Sequence, residues 1–136
     1  MRSCRPFASL TVEAELLPLL GEVLGRGGHL PLVARGDSMR PAVRGGDRLV
    51  LGPVEREALR PGEIVLWSHR GRTFLHRVVD LRADEPLTRG DGAQEDDGWV
   101  PRSAVLARLV GSQRGHGRLG RMARRLLGRI RPHLFR

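Results

Sequence analysis

The chain has 136 residues with 40% hydrophobic content, 4% aromatics and no tyrosine, so it makes one domain whose core is built from Leu, Val and Ala. All 24 basic residues are arginine, set against 15 acids for a net charge of +9; Cys4 is the one cysteine, which excludes an internal disulfide and a cysteine-based metal site. The charge is uneven: residues 112–136 carry eight arginines and no acid while the rest is nearly neutral, an asymmetry that bears on partners rather than on fold.

In chain order, residues 11–25 place apolar side chains at helical spacing, with Thr11 as N-cap, Gly25 or Gly27 as the stop, and Pro18 as a kink. The most apolar part of this stretch, residues 14–24, contains Glu15, Pro18, Gly21 and Glu22. That is too short and too acidic for a membrane span, and it lacks the uninterrupted apolar run of a secretory leader. The expected location is cytoplasmic or peripheral to a membrane.

Residues 29–34 read as a strand leading into a bend, and residues 48–51 as the strand that follows it. A third strand, residues 63–67, comes after the turn Arg60-Pro61-Gly62; a fourth, residues 73–81, comes after Arg70-Gly71. Leu87 and Thr88 begin a short fifth strand, and residues 105–110 make a sixth that Gly111 ends. Short strands at this spacing, punctuated by Gly and Pro, predict a mainly β body. Residues 117–135 return to helical spacing, with Leu119, Met122, Ala123, Leu126, Leu127, Ile130 and Leu134 on one stripe and arginines beside the opposite face. The expected organisation is an N-terminal helical segment (1–29), a β domain (30–111) and a basic amphipathic C-terminal helix (112–136). That last helix either docks on the body or lies in an anionic membrane interface. No specific nucleic-acid partner is expected: one short helix before residue 30 does not make a helix-turn-helix, and the tail lacks base-reading aromatics.

Three places carry candidate chemistry. In Gly36-Asp37-Ser38-Met39-Arg40-Pro41, a permissive glycine and a φ-fixing proline bracket a serine. Such a bend is either ordinary turn chemistry or the presentation of a nucleophile with its own backbone N–H facing the same space. A nucleophilic serine needs a base. There is no lysine, and arginine keeps its proton in proteins, which leaves the histidines. His116 and His133 lie in the tail, His69 at a hairpin tip, and His29 just before Pro31. His76 is mid-strand, sharing a face with Phe74 and Val78 while Leu75, Arg77 and Val79 take the other. It is either a rigidly held proton acceptor or a core histidine tied to a backbone carbonyl. Residues 88–97 then offer acids that either orient a histidine or form a solvated loop; their spacing does not fit an EF-hand, and no metal is expected.

The set GDSMRP, Gly46-Asp47, PGEIVLW, HRVV and TRGD followed by Asp96-Asp97, in this order, resembles the type I signal peptidase family and, more broadly, the serine peptidase fold shared with LexA-type self-cleaving repressors. The resemblance covers residues 30–111, and HRVV is similar to the Ser–His branch of archaea and the endoplasmic reticulum. It implies a small coiled β-sheet or half-barrel core and a serine endopeptidase that cleaves an extended peptide after small residues, with the substrate added as a strand at a sheet edge. It implies Ser38 as nucleophile, His76 as general base and Asp97 as the acid that orients it, supported by Asp91, Gly36 and Met39. It implies no metal and no organic cofactor. Because Gly36 stands where many signal peptidases have a serine, the oxyanion is expected to rest on backbone N–H groups, chiefly that of Ser38. The family usually has a membrane helix before the nucleophile strand and, in bacteria, a large extra β-domain. The acidic segment and small body here point instead to a dedicated processing role on peptide or protein substrates. The alternative is a non-cleaving or self-cleaving regulatory module of the same fold.

Overall fold

The computed structural model describes residues 17–54 and 59–115. Helix α1 covers Leu17–Gly25 and is followed by seven strands: β1 (Leu30–Val33), β2 (Arg48–Gly52), β3 (Ile64–His69), β4 (Arg72–Arg82), β5 (Glu85–Arg89), β6 (Gly98–Trp99) and β7 (Val105–Gln113). They form one open antiparallel sheet in the order β1-β2-β7-β3-β4-β5-β6. The expected mainly β architecture is what the chain adopts. The proposed helix start at Thr11 and the whole 117–135 stripe lie outside the described residues.

The sheet is buried on both faces, which explains the unbroken apolar run of β3. Ile64 and Leu66 join one cluster with Leu20 of α1, Leu30 and Leu32 of β1, Met39, Val43, Leu49, Leu51, Leu75 and Ala107. Val65 and Trp67, pointing the other way by strand alternation, join a second cluster with Leu59, Val78, Val100 and Val105. Each fully buried Leu or Val contributes about 1.5–3 kcal/mol relative to leaving it in water.

Two details depart from the sequence reading. Gly111 does not end β7: the strand runs on to Gln113 because Gly111 pairs with Val50 across a register shift, a position where a glycine in a strand is tolerated. The two-residue β6 carries too little pattern to be read, and it pairs through Leu87 with Trp99 and Thr88 with Gly98. Gly98 has a φ of +100°, which only glycine adopts without strain.

The link between β1 and β2 must reach across the molecule, since β2, β7 and β3 separate β1 from β4 in the sheet. It does so: Gly92 N–H donates to the Ser38 carbonyl at 2.9 Å, and Asp91 N–H to Met39 Sδ at 3.3 Å. These contacts join the segment after the first strand to the loop after the fifth.

Candidate active site

The bend holding Ser38 is fixed mainly by its own backbone. Arg40 N–H donates to Asp37 O at 3.1 Å and Val43 N–H to Met39 O at 2.9 Å. Ala34 and Gly46–Asp47 close the segment, through Ala34 N–H to Asp47 O at 2.8 Å and Gly46 N–H to Ala34 O at 2.9 Å. Gly36 sits at φ +94°, which favours glycine there, and its carbonyl would lie 2.9 Å from a Cβ on Gly45, so the close approach of the two arms of the bend needs glycine at residue 45. Met39 is fully buried in the α1-side cluster and anchors the residue next to Ser38. The Gly46-Asp47 pair of the motif set is structural: Asp47, buried, accepts from Arg44 N–H at 2.9 Å and Gly115 N–H at 3.1 Å.

His76 lies on β4 opposite Val65 of β3. Its ring shares a face with Phe74, 6.0 Å away between centroids, as the alternation predicts. Ser38 and His76 are both buried, at 4% and 5% exposure, and His76 Nε2 is 3.1 Å from Ser38 Oγ. His76 Nδ1 is 2.6 Å from Asp97 Oδ2. A carboxylate oxygen only accepts, so Nδ1 carries the proton toward Asp97, and in the neutral ring Nε2 is left as the acceptor for the Ser38 hydroxyl. The three residues singled out at 38, 76 and 97 thus form one hydrogen-bonded chain.

Asp91 does not touch His76. Its carboxylate takes a two-pronged contact from Arg77, Nε to Oδ1 and Nη2 to Oδ2, both at 2.8 Å, while Arg77 Nη1 donates to Gly62 O at 2.7 Å. The hydrogen bond to Asp91 holds the Arg77 guanidinium above its usual pKa, against the opposing effect of its partial burial. Asp91 therefore braces the loop to the strand that carries His76.

Two site residues escaped the sequence reading. Gly90 follows β5 and comes opposite His76 by continuation of the Arg77–Arg89 pairing. A Cβ there would sit 2.9 Å from Ser38 O and 3.2 Å from His76 Nε2. Thr88, with no exposed surface, donates its hydroxyl to Asp97 Oδ2 at 2.7 Å. The signal for both was present in the TRGD motif, but nothing in a single sequence separates a glycine kept for close approach from a turn glycine. A groove of about 440 Å³ between α1 and the β3–β7 side contains none of the site residues. Among the described residues no group of acids, histidines or cysteines is arranged to hold a metal.

No protein-family model matches the chain, and no solved structure matches it significantly. It is similar to the signal peptidase complex catalytic subunit SEC11C of Homo sapiens, of Mus musculus and of Canis lupus familiaris, at 29% identity over 119 residues in each case. The match covers 76% of this chain and 62% of each relative, so the chain spans less than two thirds of the length of these curated relatives. This similarity agrees with the resemblance to the type I signal peptidase family that the motifs carry.

Proposed function

We propose that the chain is a signal peptidase-like serine endopeptidase. The observation that supports this most is the continuous contact from Ser38 Oγ through the His76 ring to Asp97, at 3.1 and 2.6 Å. Ser38 Oγ attacks the scissile carbonyl and passes its proton to Nε2; the imidazolium is stabilised by Asp97 at Nδ1 and then protonates the leaving amine. Water, deprotonated by the same nitrogen, then attacks the acyl ester; the bond to Ser38 Oγ breaks, the imidazolium returns its proton to Oγ, and the carboxylic acid product leaves. With no side-chain donor at residue 36, the oxyanion is assigned to backbone N–H groups of the bend, chiefly that of Ser38. The substrate is an extended peptide or protein segment with small side chains before the bond, as the family resemblance implies.

The test is cleavage of a peptide panel with small residues before the scissile bond, comparing the wild-type chain with Ser38→Ala. The wild type cuts a subset of the panel and Ser38→Ala loses turnover by about 10³-fold or more at unchanged melting temperature. Equal cleavage by both proteins overturns the reading.

A further inference from the structure

The geometry points to Thr88 as a positioning residue that aims the Asp97 carboxylate at His76. The inference rests on the peptidase reading only for its kinetic consequence. Thr88 holds Asp97 at two points. Its carbonyl accepts from Asp97 N–H at 2.8 Å, and its hydroxyl donates to Asp97 Oδ2 at 2.7 Å. The oxygen that receives the hydroxyl is the same one that receives His76 Nδ1–H at 2.6 Å. Two donors converge on one carboxylate oxygen from different strands, so the carboxylate is held in the rotation that serves the imidazole.

The strand register explains why residue 88 is the one that can do this. Thr88 pairs with Val78 across β4–β5, and Val78 is two residues along from His76 on the same face. Thr88 also pairs with Gly98, the residue after Asp97, across β5–β6. It therefore stands between the histidine strand and the acid. Its β-branched side chain has a stiff χ1, and with no exposed surface its hydroxyl has no water to turn to. Asp97, by contrast, has 20% of its side chain exposed and ends a loop, so a carboxylate held by His76 alone would exchange that contact for solvent.

Three variants of the full chain test the role: Thr88→Val, which keeps the shape and removes the donor, Thr88→Ser, which keeps the donor, and Thr88→Ala as a second donor-free form. Two quantities are read, the kcat and KM for a cleaved peptide and the low-field proton resonance of His76 Nδ1–H. Thr88→Val lowers kcat by about 10- to 100-fold with KM little changed, the range expected when a reacting group is slightly misplaced. It also shifts or broadens the resonance, and Thr88→Ser restores both. Unchanged kcat and resonance in a folded Thr88→Val overturn the role, as does loss of the fold in both donor-free forms with Thr88→Ser equally inactive. Turnover lost in Ser38→Ala but untouched in Thr88→Val sinks the positioning role and leaves the peptidase. A wild type without turnover whose resonance still responds to Thr88→Val sinks the peptidase and leaves the clamp.

Discussion

Two segments meet at the site, and their carboxylates are used in different ways. Residues 34–48, which carry Ser38, are held by main-chain hydrogen bonds, by glycines at close approach and by one buried carboxylate. Residues 88–98, which carry Asp97, also have main-chain bonds, among them Asp97 N–H to Thr88 O and Ala93 N–H to Gly90 O, but their carboxylates are held by side chains: Thr88 on Asp97, Arg77 on Asp91, and Arg89 on Asp96 at 3.0 Å. The last pair is 41% exposed on each partner and contributes little. A main-chain brace is lost only with the local fold, whereas a side-chain brace is lost one substitution at a time. Ser38 itself apart, changes in the first segment should therefore act mainly on stability, and changes at the side-chain braces of the second mainly on rate.

The largest effect expected from this contrast separates the two acids of the second segment. Asp97→Asn leaves a group that can offer a donor to Nδ1 and so favour the wrong tautomer; kcat should fall by about 10³- to 10⁴-fold with the melting temperature barely moved. Asp91→Asn removes one charge from a partly exposed pair with Arg77, 32% and 20% exposed, so its effect on kcat should stay below about tenfold. Steady-state kinetics on the two variants decide the matter, and equal losses would make Asp91 and Asp97 members of one unit rather than an aiming group and a brace.

Gly90 sharpens the comparison because it lies where the two segments touch. An added methyl group would have to displace either the Ser38 carbonyl, 2.9 Å away, or the His76 ring, 3.2 Å away. The backbone of the first segment is the stiffer of the two, so the loop retreats and takes His76 and its partners off line. Gly90→Ala is expected to lower kcat by about 10²-fold, the loss associated with misplacement of roughly 1 Å. If it instead lowers the melting temperature strongly and leaves kcat per folded molecule intact, the first segment yields and the contrast is wrong.

The sequence was informative where the physics is local. Alternation in β4 assigned His76 to the face of Phe74 and Val78, and turn residues at 60–62 and 70–71 bounded β3 and β4 closely. The mainly β body followed from strand spacing, and the order of motifs pointed to the residues that the fold gathers. What the sequence did not show is non-local. Asp47 looked like part of the motif set, yet its contacts are with Arg44 and with Gly115, 68 residues away. Thr88 looked like any strand threonine until β6 placed Asp97 beside it, and β6 is too short to announce itself. Gly111 read as a strand end because a glycine ordinarily weakens a strand; only its pairing with Val50 shows otherwise.

The remaining prediction takes the stability side of the contrast. Asp47 is 5% exposed, and its two carboxylate oxygens accept from the backbone N–H of Arg44 at 2.9 Å and of Gly115 at 3.1 Å. Asp47→Ala removes both acceptors and leaves two part-buried donors to find water or go without. Leaving one such donor unsatisfied costs about 1–3 kcal/mol, and the segment can admit some solvent at its exposed Gly45–Gly46 corner, so a total near 2 kcal/mol is expected. The first segment would then melt earlier in a denaturant titration, while the hydrogen bonds among Ser38, His76 and Asp97 are untouched in every molecule that remains folded. Activity corrected for the folded fraction should match the wild type. A loss of kcat at full folding would mean that the link from β7 through Asp47 also tunes the position of Ser38, and that the main-chain brace is less independent of the site than its hydrogen bonds make it.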